Sequence, residues 1–326
     1  MDPLLEVKDL EIVLELKERS VYAVNSVSFD VRQGETVGLV GESGSGKSMT
    51  CRSILNLLPG TKSKTVKGSV QFEGRDLLTL PKQEWQQVRG KQIGMIMQDP
   101  MSSLDPVYRV GDQIVDTLRT HQKMSKKEAW EKAIKLLQQV GIPSPEKRVS
   151  QYPHELSGGM RQRVMIALAI SCNPKLLLAD EPTTALDVTV QDQVLRLLKQ
   201  LQQDLGMGIL LVTHNLGIVA EMCDRVVVLY AGKVMEIASV EQLFAAPKNM
   251  YTKGLIRSVP QLDSTGRLEG IPGSLPRMNQ PLAGCPFRER CSLATEECAD
   301  AEKTRLQEVS PGHWSACVHH ERVCGF

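Results

Sequence analysis

A chain of 326 residues with 41% hydrophobic and 24% charged residues is long enough for a full core and a further extension. Its net charge of +1 excludes the basic excess of a nucleic-acid footprint, so nucleic acid is not expected as a partner. No apolar run approaches the roughly 20 residues of a membrane span, and Met1-Asp2-Pro3-Leu4-Leu5-Glu6 lacks the pattern of a signal peptide. A cytoplasmic chain is expected, whose eight cysteines a reducing compartment keeps out of disulfides.

Residues 4–12 and 21–31 read as strands, the second alternating apolar and polar before the turn at Gln33-Gly34. Tyr22 lies upstream of the first glycine-rich loop, where a ring can stack on a base or simply pack. Glu35 to Val40 is a short β-type run, and Met49 to Leu58 has helical spacing. Between them Gly41-Glu42-Ser43-Gly44-Ser45-Gly46-Lys47-Ser48 fills every position of the phosphate-loop pattern. Glycines let successive N–H groups and the helix start face an anion, Lys47 supplies a point charge, and Ser48 offers Mg²⁺ an oxygen.

After Gly60, residues 61–67 read as a lysine-bearing loop and 68–74 as a strand and turn. Gln92 to Met97 is a buried-type strand ending at Gln98-Asp99-Pro100, where Gln98 suits either a site residue or a capping turn. From 101 to 157 the pattern is helical, with a capping box at Ser125-Lys126-Lys127-Glu128. Ser157, Gly158 and Gly159 open an apolar helix and offer a second set of N–H groups to an anion.

Lys175 to Asp180 is an apolar strand ending in two adjacent carboxylates, which are costly there unless they serve chemistry. Asp180 suits a metal and Glu181 a proton. Asp187 opens a helix reaching Leu205, and Met207 to His214 is another buried strand, this one ending in histidine. Residues 225–230 and 233–237 form a closing hairpin.

In this order the motifs resemble the ATP-binding subunit of an ABC transporter. Gly41 to Ser48 matches Walker A, Gln98 the Q-loop, Leu156-Ser157-Gly158-Gly159-Met160 the signature, and Leu176 to Asp180 Walker B. Glu181, Asp187 and His214 match the catalytic glutamate, the D-loop aspartate and the switch histidine. The resemblance implies an α/β phosphate-loop ATPase core with an antiparallel β subdomain and a helical insertion at about 99–159, all within residues 1–246. It implies ATP bound by Tyr22, Gly41, Ser43, Gly44, Gly46, Lys47, Ser48 and Met49, with Ser157, Gly158, Gly159 and Asp187 acting across a dimer. Mg²⁺ falls to Ser48, Gln98 and Asp180, and catalysis to Glu181, Gln98 and His214.

Within that family the segment from Gln98 to Pro106, Tyr251-Thr252-Lys253-Gly254-Leu255, and Ile271-Pro272-Gly273-Ser274-Leu275-Pro276 resemble dipeptide and oligopeptide importers. Residues 247–326 are then the C-terminal extension, although Asn249-Met250 replaces the usual His-Pro before the tyrosine. The implied role is powering peptide import from the cytoplasmic face of the membrane. Two membrane-spanning permease subunits, a second, related ABC ATPase and an extracellular or periplasmic substrate-binding protein are the implied partners. Nickel or metallophore import is the alternative, because those importers share the extension; a soluble ABC ATPase unconnected to transport is the second.

Five of the eight cysteines fall between Cys285 and Cys324. Cys285, Cys291, Cys298 and Cys317 give four thiols in a Pro- and Gly-rich tail, a set that fits zinc or a four-thiolate cluster. The stretch Gly284-Cys285-Pro286-Phe287-Arg288-Glu289-Arg290-Cys291 resembles the cysteine motif in peptide-importer tails, and that resemblance implies a 4Fe-4S cluster.

Overall fold

The computed structural model describes residues 2–15, 20–58, 63–99, 103–184, 186–259 and 270–323. Pro100, Met101 and Ser102 of the glutamine segment, Gly60, and Cys324 lie outside the described residues. In chain order the strands are β1 (Leu5–Glu15), β2 (Ser20–Val31), β3 (Thr36–Val40), β4 (Ser63–Phe72), β5 (Arg75–Asp76), β6 (Ile93–Ile96), β7 (Leu176–Asp180), β8 (Gly208–Thr213), β9 (Arg225–Tyr230), β10 (Lys233–Ser239), β11 (Gln307–Ser310) and β12 (His313–Ser315). The chain divides into two compact units, one of Met1–Val31, Thr36–Leu78 and Leu211–Phe326, the other of Arg32–Glu35 and Thr79–Leu210.

The first unit contains the antiparallel sheet β2-β1-β4-β5. Alternation along β1 buries Leu5, Val7, Leu10 and Ile12 on one face, with a register shift between Val7 and Leu10. The lysine-bearing stretch expected to be a loop is corrected here: from Ser63 onward it is part of β4, paired with β1 from Ser63 opposite Glu15 to Lys67 opposite Glu11. Lysine lowers strand propensity, but Lys67 is exposed, where it costs little, and its Nζ sits 3.7 Å from Glu11 Oε2.

The unit's second sheet runs β11-β12-β10-β9-β3, with the end of β8 beyond. β3 and β9 pair in parallel, and both are apolar runs buried on two faces, as a covered parallel sheet requires. The β9–β10 hairpin does not close the sheet. Its outer edge is taken by β12 of the tail, with Glu236 opposite Ser315 and the Ala316 N–H donating to the Met235 carbonyl. Tail and core share one apolar cluster, in which Tyr230, Tyr251 and Phe287 meet with ring centroids 4.6, 5.3 and 5.4 Å apart. Such tilted and edge-on pairs add to what burial alone contributes.

In the second unit β6 and β7 pair in parallel. The helices Val110–His121, Lys126–Gln139 and Gly158–Ile170 bury Ile114, Leu118, Ala133, Leu137, Val164 and Ile166. The capping box is formed, with Glu128 N–H donating to Ser125 Oγ and Ser125 N–H to Glu128 Oε2. Gly111 allows the first of these helices to sit against Val149, whose carbonyl oxygen lies 2.6 Å from where a Cβ would stand. The helix Val188–Leu205 ends at Gly206 in a left-handed conformation, the usual glycine stop.

Candidate functional site

The phosphate loop belongs to the first unit and joins β3 to the helix Lys47–Ile54. Gly46 caps that helix with φ +99° and no side-chain hydrogen bond; a helix start directs its first N–H groups toward an anion. A Cβ on Gly46 would lie 2.5 Å from the Ala23 carbonyl oxygen, and one on Gly41, where φ is +149°, 2.1 Å from that of Leu229. Both neighbours are backbone, so both glycines are obligatory.

Lys47 is buried, and its ammonium donates to the carbonyls of Gly41 at 2.8 Å and Glu42 at 2.9 Å. The loop thus ties its own cation to the two carbonyls at its start. Ser43 and Gly44 are exposed, while Ser48 and Met49 are half-buried at the helix start. The loop is fixed to its surroundings by Gly232 N–H donating to Ser45 O and Asn25 N–H donating to Gly232 O. Tyr22, one residue before the Ala23 that bounds Gly46, is half-buried, and its N–H donates to Met278 O of the tail. His214 is exposed immediately after β8, and Asn215 behind it caps the helix Leu216–Met222.

The second unit contains the remaining candidates. Asp180 is fully buried at the end of β7. Glu181 follows with φ +49°, a left-handed backbone that costs a non-glycine residue about 1–2 kcal/mol. Its Oε2 accepts from Gln98 Nε2 at 2.9 Å and from Thr184 Oγ1 at 2.9 Å. Gln98 and Glu181, 83 residues apart, are therefore one hydrogen-bonded pair.

Ser157 caps the helix Gly158–Ile170, its Oγ accepting from Met160 N–H at 3.3 Å. Gly158 is exposed, with nothing among the described residues within 4 Å of its missing Cβ; Gly159 faces Val190 Cγ1 at 2.9 Å. Asp187 caps the helix Val188–Leu205 through Val190 N–H at 3.0 Å.

In the tail, Cys285, Cys291, Cys298 and Cys317 line one cavity with Met250, Phe287 and His319. Gly284 makes this fold possible: with φ +68°, its missing Cβ would lie 2.4 Å from the Cys298 carbonyl oxygen. Burial pushes the Cys285 thiol up to about 12 and the Cys317 thiol to about 11, and raises Cys291 as well. Among the described residues no group of three or more His, Cys, Asp or Glu is placed to hold a single metal ion.

Two residues that sequence reasoning passed over belong to the phosphate loop's surroundings. Tyr251 Oη accepts from the Glu42 N–H at 2.8 Å, and Arg290 Nη1 lies 2.9 Å from Glu42 Oε2. Burial lowers the Arg290 pKa, but the hydrogen bonds with Glu42 and Tyr230 outweigh it and leave the guanidinium raised. The available signal was Glu42 itself, because an acidic residue inside an anion loop calls for a counter-charge.

A family model described as ABC transporter matches residues 24–184, and one described as oligopeptide/dipeptide transporter, C-terminal region, matches residues 235–298. The chain is 50% identical to the probable peptide ABC transporter ATP-binding protein y4tR of Sinorhizobium fredii, over 99% of this chain and 96% of that one. It is 47% identical to the oligopeptide transport ATP-binding protein OppD of Escherichia coli, over 97% and 93%, and 51% identical to that of Bacillus subtilis, over 95% and 87%. Among solved structures it resembles a dimeric ATP-binding cassette in a post-hydrolysis state with ADP and Pi bound. That likeness has a TM-score of 0.65 at 28% identity and covers 72% of this chain and 98% of the other. With this likeness over almost its whole length, the chain belongs to the ATP-binding subunits of ABC transporters, in the group with the oligopeptide/dipeptide transporter C-terminal region.

Proposed function

We propose that this chain is the ATP-hydrolysing subunit of an importer of dipeptides or oligopeptides. The observation that carries the enzymatic part is Glu181, held in a strained backbone at the end of β7 with its carboxylate fixed by Gln98 and Thr184. Phosphoryl transfer to water needs positioning and charge neutralisation more than covalent chemistry, and a fixed carboxylate is suited to orient and polarise the attacking water. Gln98, bonded to that carboxylate, is placed to report on it, and His214 is assigned to the γ-phosphate end.

Lys47 and the loop residues Gly41, Ser43, Gly44, Gly46, Ser48 and Met49 take the phosphates, and Tyr22 the base. Ser48 and the buried Asp180 suit Mg²⁺ as oxygen donors, as does Gln98; the ion neutralises phosphate charge when bound. Ser157, Gly158, Gly159 and Asp187 are assigned to the ATP held by a second ABC ATPase subunit. The open space at Gly158 supports this, because no neighbour among the described residues requires a glycine there.

Transport places the chain at the cytoplasmic face of the membrane, bound to two permease subunits that receive substrate from a binding protein outside. Among the described residues no helix is long and apolar enough to cross a membrane. Residues 247–326 serve as the extension of peptide importers. Within it we assign a 4Fe-4S cluster to Cys285, Cys291, Cys298 and Cys317, which line one cavity; deprotonated, they would be the four-thiolate donor set that holds it, and its binding would supply the tail with folding free energy.

Growth tests the substrate. A strain lacking the gene fails to grow on a dipeptide as the source of a required amino acid, and the gene restores it. Normal dipeptide growth with impaired nickel or metallophore uptake would replace this reading.

A further inference from the structure

Glu42 puts a carboxylate one residue into a loop otherwise built to attract anions, with Lys47 folded over it. Left alone, that charge would oppose a triphosphate. It is not left alone: the side chain of Arg290, only 7% exposed, is bridged to Glu42 Oε2 at 2.9 Å, with the glutamate side chain 26% exposed. The guanidinium is itself oriented from behind, with Nε donating to Pro272 O at 2.7 Å, Nη2 to Ile271 O at 3.0 Å and Nη1 also to Tyr230 Oη at 3.1 Å. The loop backbone at the same residue is held by Tyr251, whose hydroxyl accepts the Glu42 N–H. Of the groups that hold Arg290 and Glu42 in place, Pro272, Ile271 and Tyr251 come from residues 247–326, as does Arg290 itself.

We infer that Arg290 is a positioning residue of the nucleotide site, neutralising Glu42 and, with Tyr251, fixing the phosphate loop so that it accepts a nucleoside triphosphate. The inference rests on reading Gly41–Ser48 as the triphosphate site. An oriented fork with two carbonyls on one side and a carboxylate on the other is the geometry arginine provides and lysine only approximates. Arg290 directly precedes Cys291, so the cysteine lobe and the phosphate loop are joined through one side chain.

The test is the affinity of the full-length chain for a fluorescent ATP analogue with Mg²⁺, at 50 mM and 500 mM salt, with far-UV circular dichroism confirming the fold. Arg290→Gln should weaken binding about tenfold at the lower salt, within a range of about 5 to 30 for a partly screened charge. The defect should shrink to about threefold or less at the higher salt, where the Debye length is only a few Å. Arg290→Lys should stay within about threefold of the unaltered chain. The double variant Arg290→Gln with Glu42→Gln should bind better than Arg290→Gln alone, since the opposing charge is gone. Undiminished affinity in Arg290→Gln, or a double variant as weak as Arg290→Gln at both salts, overturns the inference. Failure of the unaltered chain to bind the analogue overturns instead the reading of the loop as a nucleotide site.

Discussion

The two signature glycines separate packing from function. A Cβ on Gly159 meets Val190 Cγ1 at 2.9 Å, and valine is stiff at χ1, so the contact is relieved only by shifting a helix or rotating a strained side chain. Overpacking of this kind costs about 1–3 kcal/mol, offset by about 0.5–1 kcal/mol from replacing a helical glycine with alanine. Gly159→Ala is thus expected to destabilise the chain by about 1 kcal/mol, or about 2 °C in melting temperature for a chain of this size. Adding Val190→Ala should restore it. Gly158→Ala meets nothing within 4 Å among the described residues and should melt no lower than the unaltered chain. On the proposed assignment of this helix start to a second subunit's ATP, however, the added methyl would stand in the way of that nucleotide, and turnover of the assembled transporter should fall at least tenfold. The assay is a melt of the isolated chain beside ATP turnover of the complex. Full turnover in Gly158→Ala would refute the assignment of this helix start to a partner's nucleotide, and a raised melting temperature in Gly159→Ala would refute the packing argument.

Other expectations follow from single sites. Gly41→Ala drives a Cβ into the Leu229 carbonyl and should abolish nucleotide binding, measured by equilibrium titration, while micromolar binding would show that the loop can move aside. His313 Nε2 lies 2.6 Å from Glu236 Oε1 with both residues buried, so His313→Ala should cost about 3 kcal/mol by urea unfolding and loosen β12 from β10; a cost below about 1 kcal/mol would mean the carboxylate finds another partner. In the metal-free chain the Cys285 and Cys317 thiols, pushed up to about 12 and about 11 by burial, keep their protons where unfolded thiols lose theirs. Stability should therefore be flat below an ordinary thiol pKa of about 8.5 and fall as pH rises above it, and a rise over that range would contradict the burial of neutral thiols. Anaerobically purified protein should be brown, with about four irons per chain by the ligand set of such a cluster; colourless protein with stoichiometric zinc would reassign the thiols without touching the ATPase.

The nucleotide motifs were legible because phosphate chemistry demands particular residue types at fixed spacing. Gly41 and Gly46 stand where backbone oxygens leave no room for a Cβ, and Asp180-Glu181 end a run with no other reason to be acidic. What stayed hidden depended on pairing between distant segments. Nothing local in residues 63–67 identifies a strand, since its partner β1 lies some fifty residues earlier. The strand β12 completing the edge at β10 is three residues long, too short for any periodicity. The Gln98–Glu181 and Arg290–Glu42 pairs span 83 and 248 residues. Glu42 occupies a position the loop pattern leaves open; its charge called for a counter-charge, but nothing local pointed to Arg290 as the residue that supplies it. The four tail cysteines were countable in sequence, but their sharing of one cavity with Met250 and Phe287 was not.

The central claim is that ATP hydrolysis at Glu181 drives peptide import, and it is tested most directly by reconstituting the chain with its permease and second ATPase subunits in vesicles. Labelled dipeptide delivered by the binding protein should enter only with ATP and Mg²⁺. Glu181→Gln, which keeps the shape of the side chain and loses its basicity, should still bind ATP while uptake and phosphate release fall together by at least a hundredfold. Uptake that persists in Glu181→Gln, or dipeptide entry that is indifferent to ATP, would contradict the account.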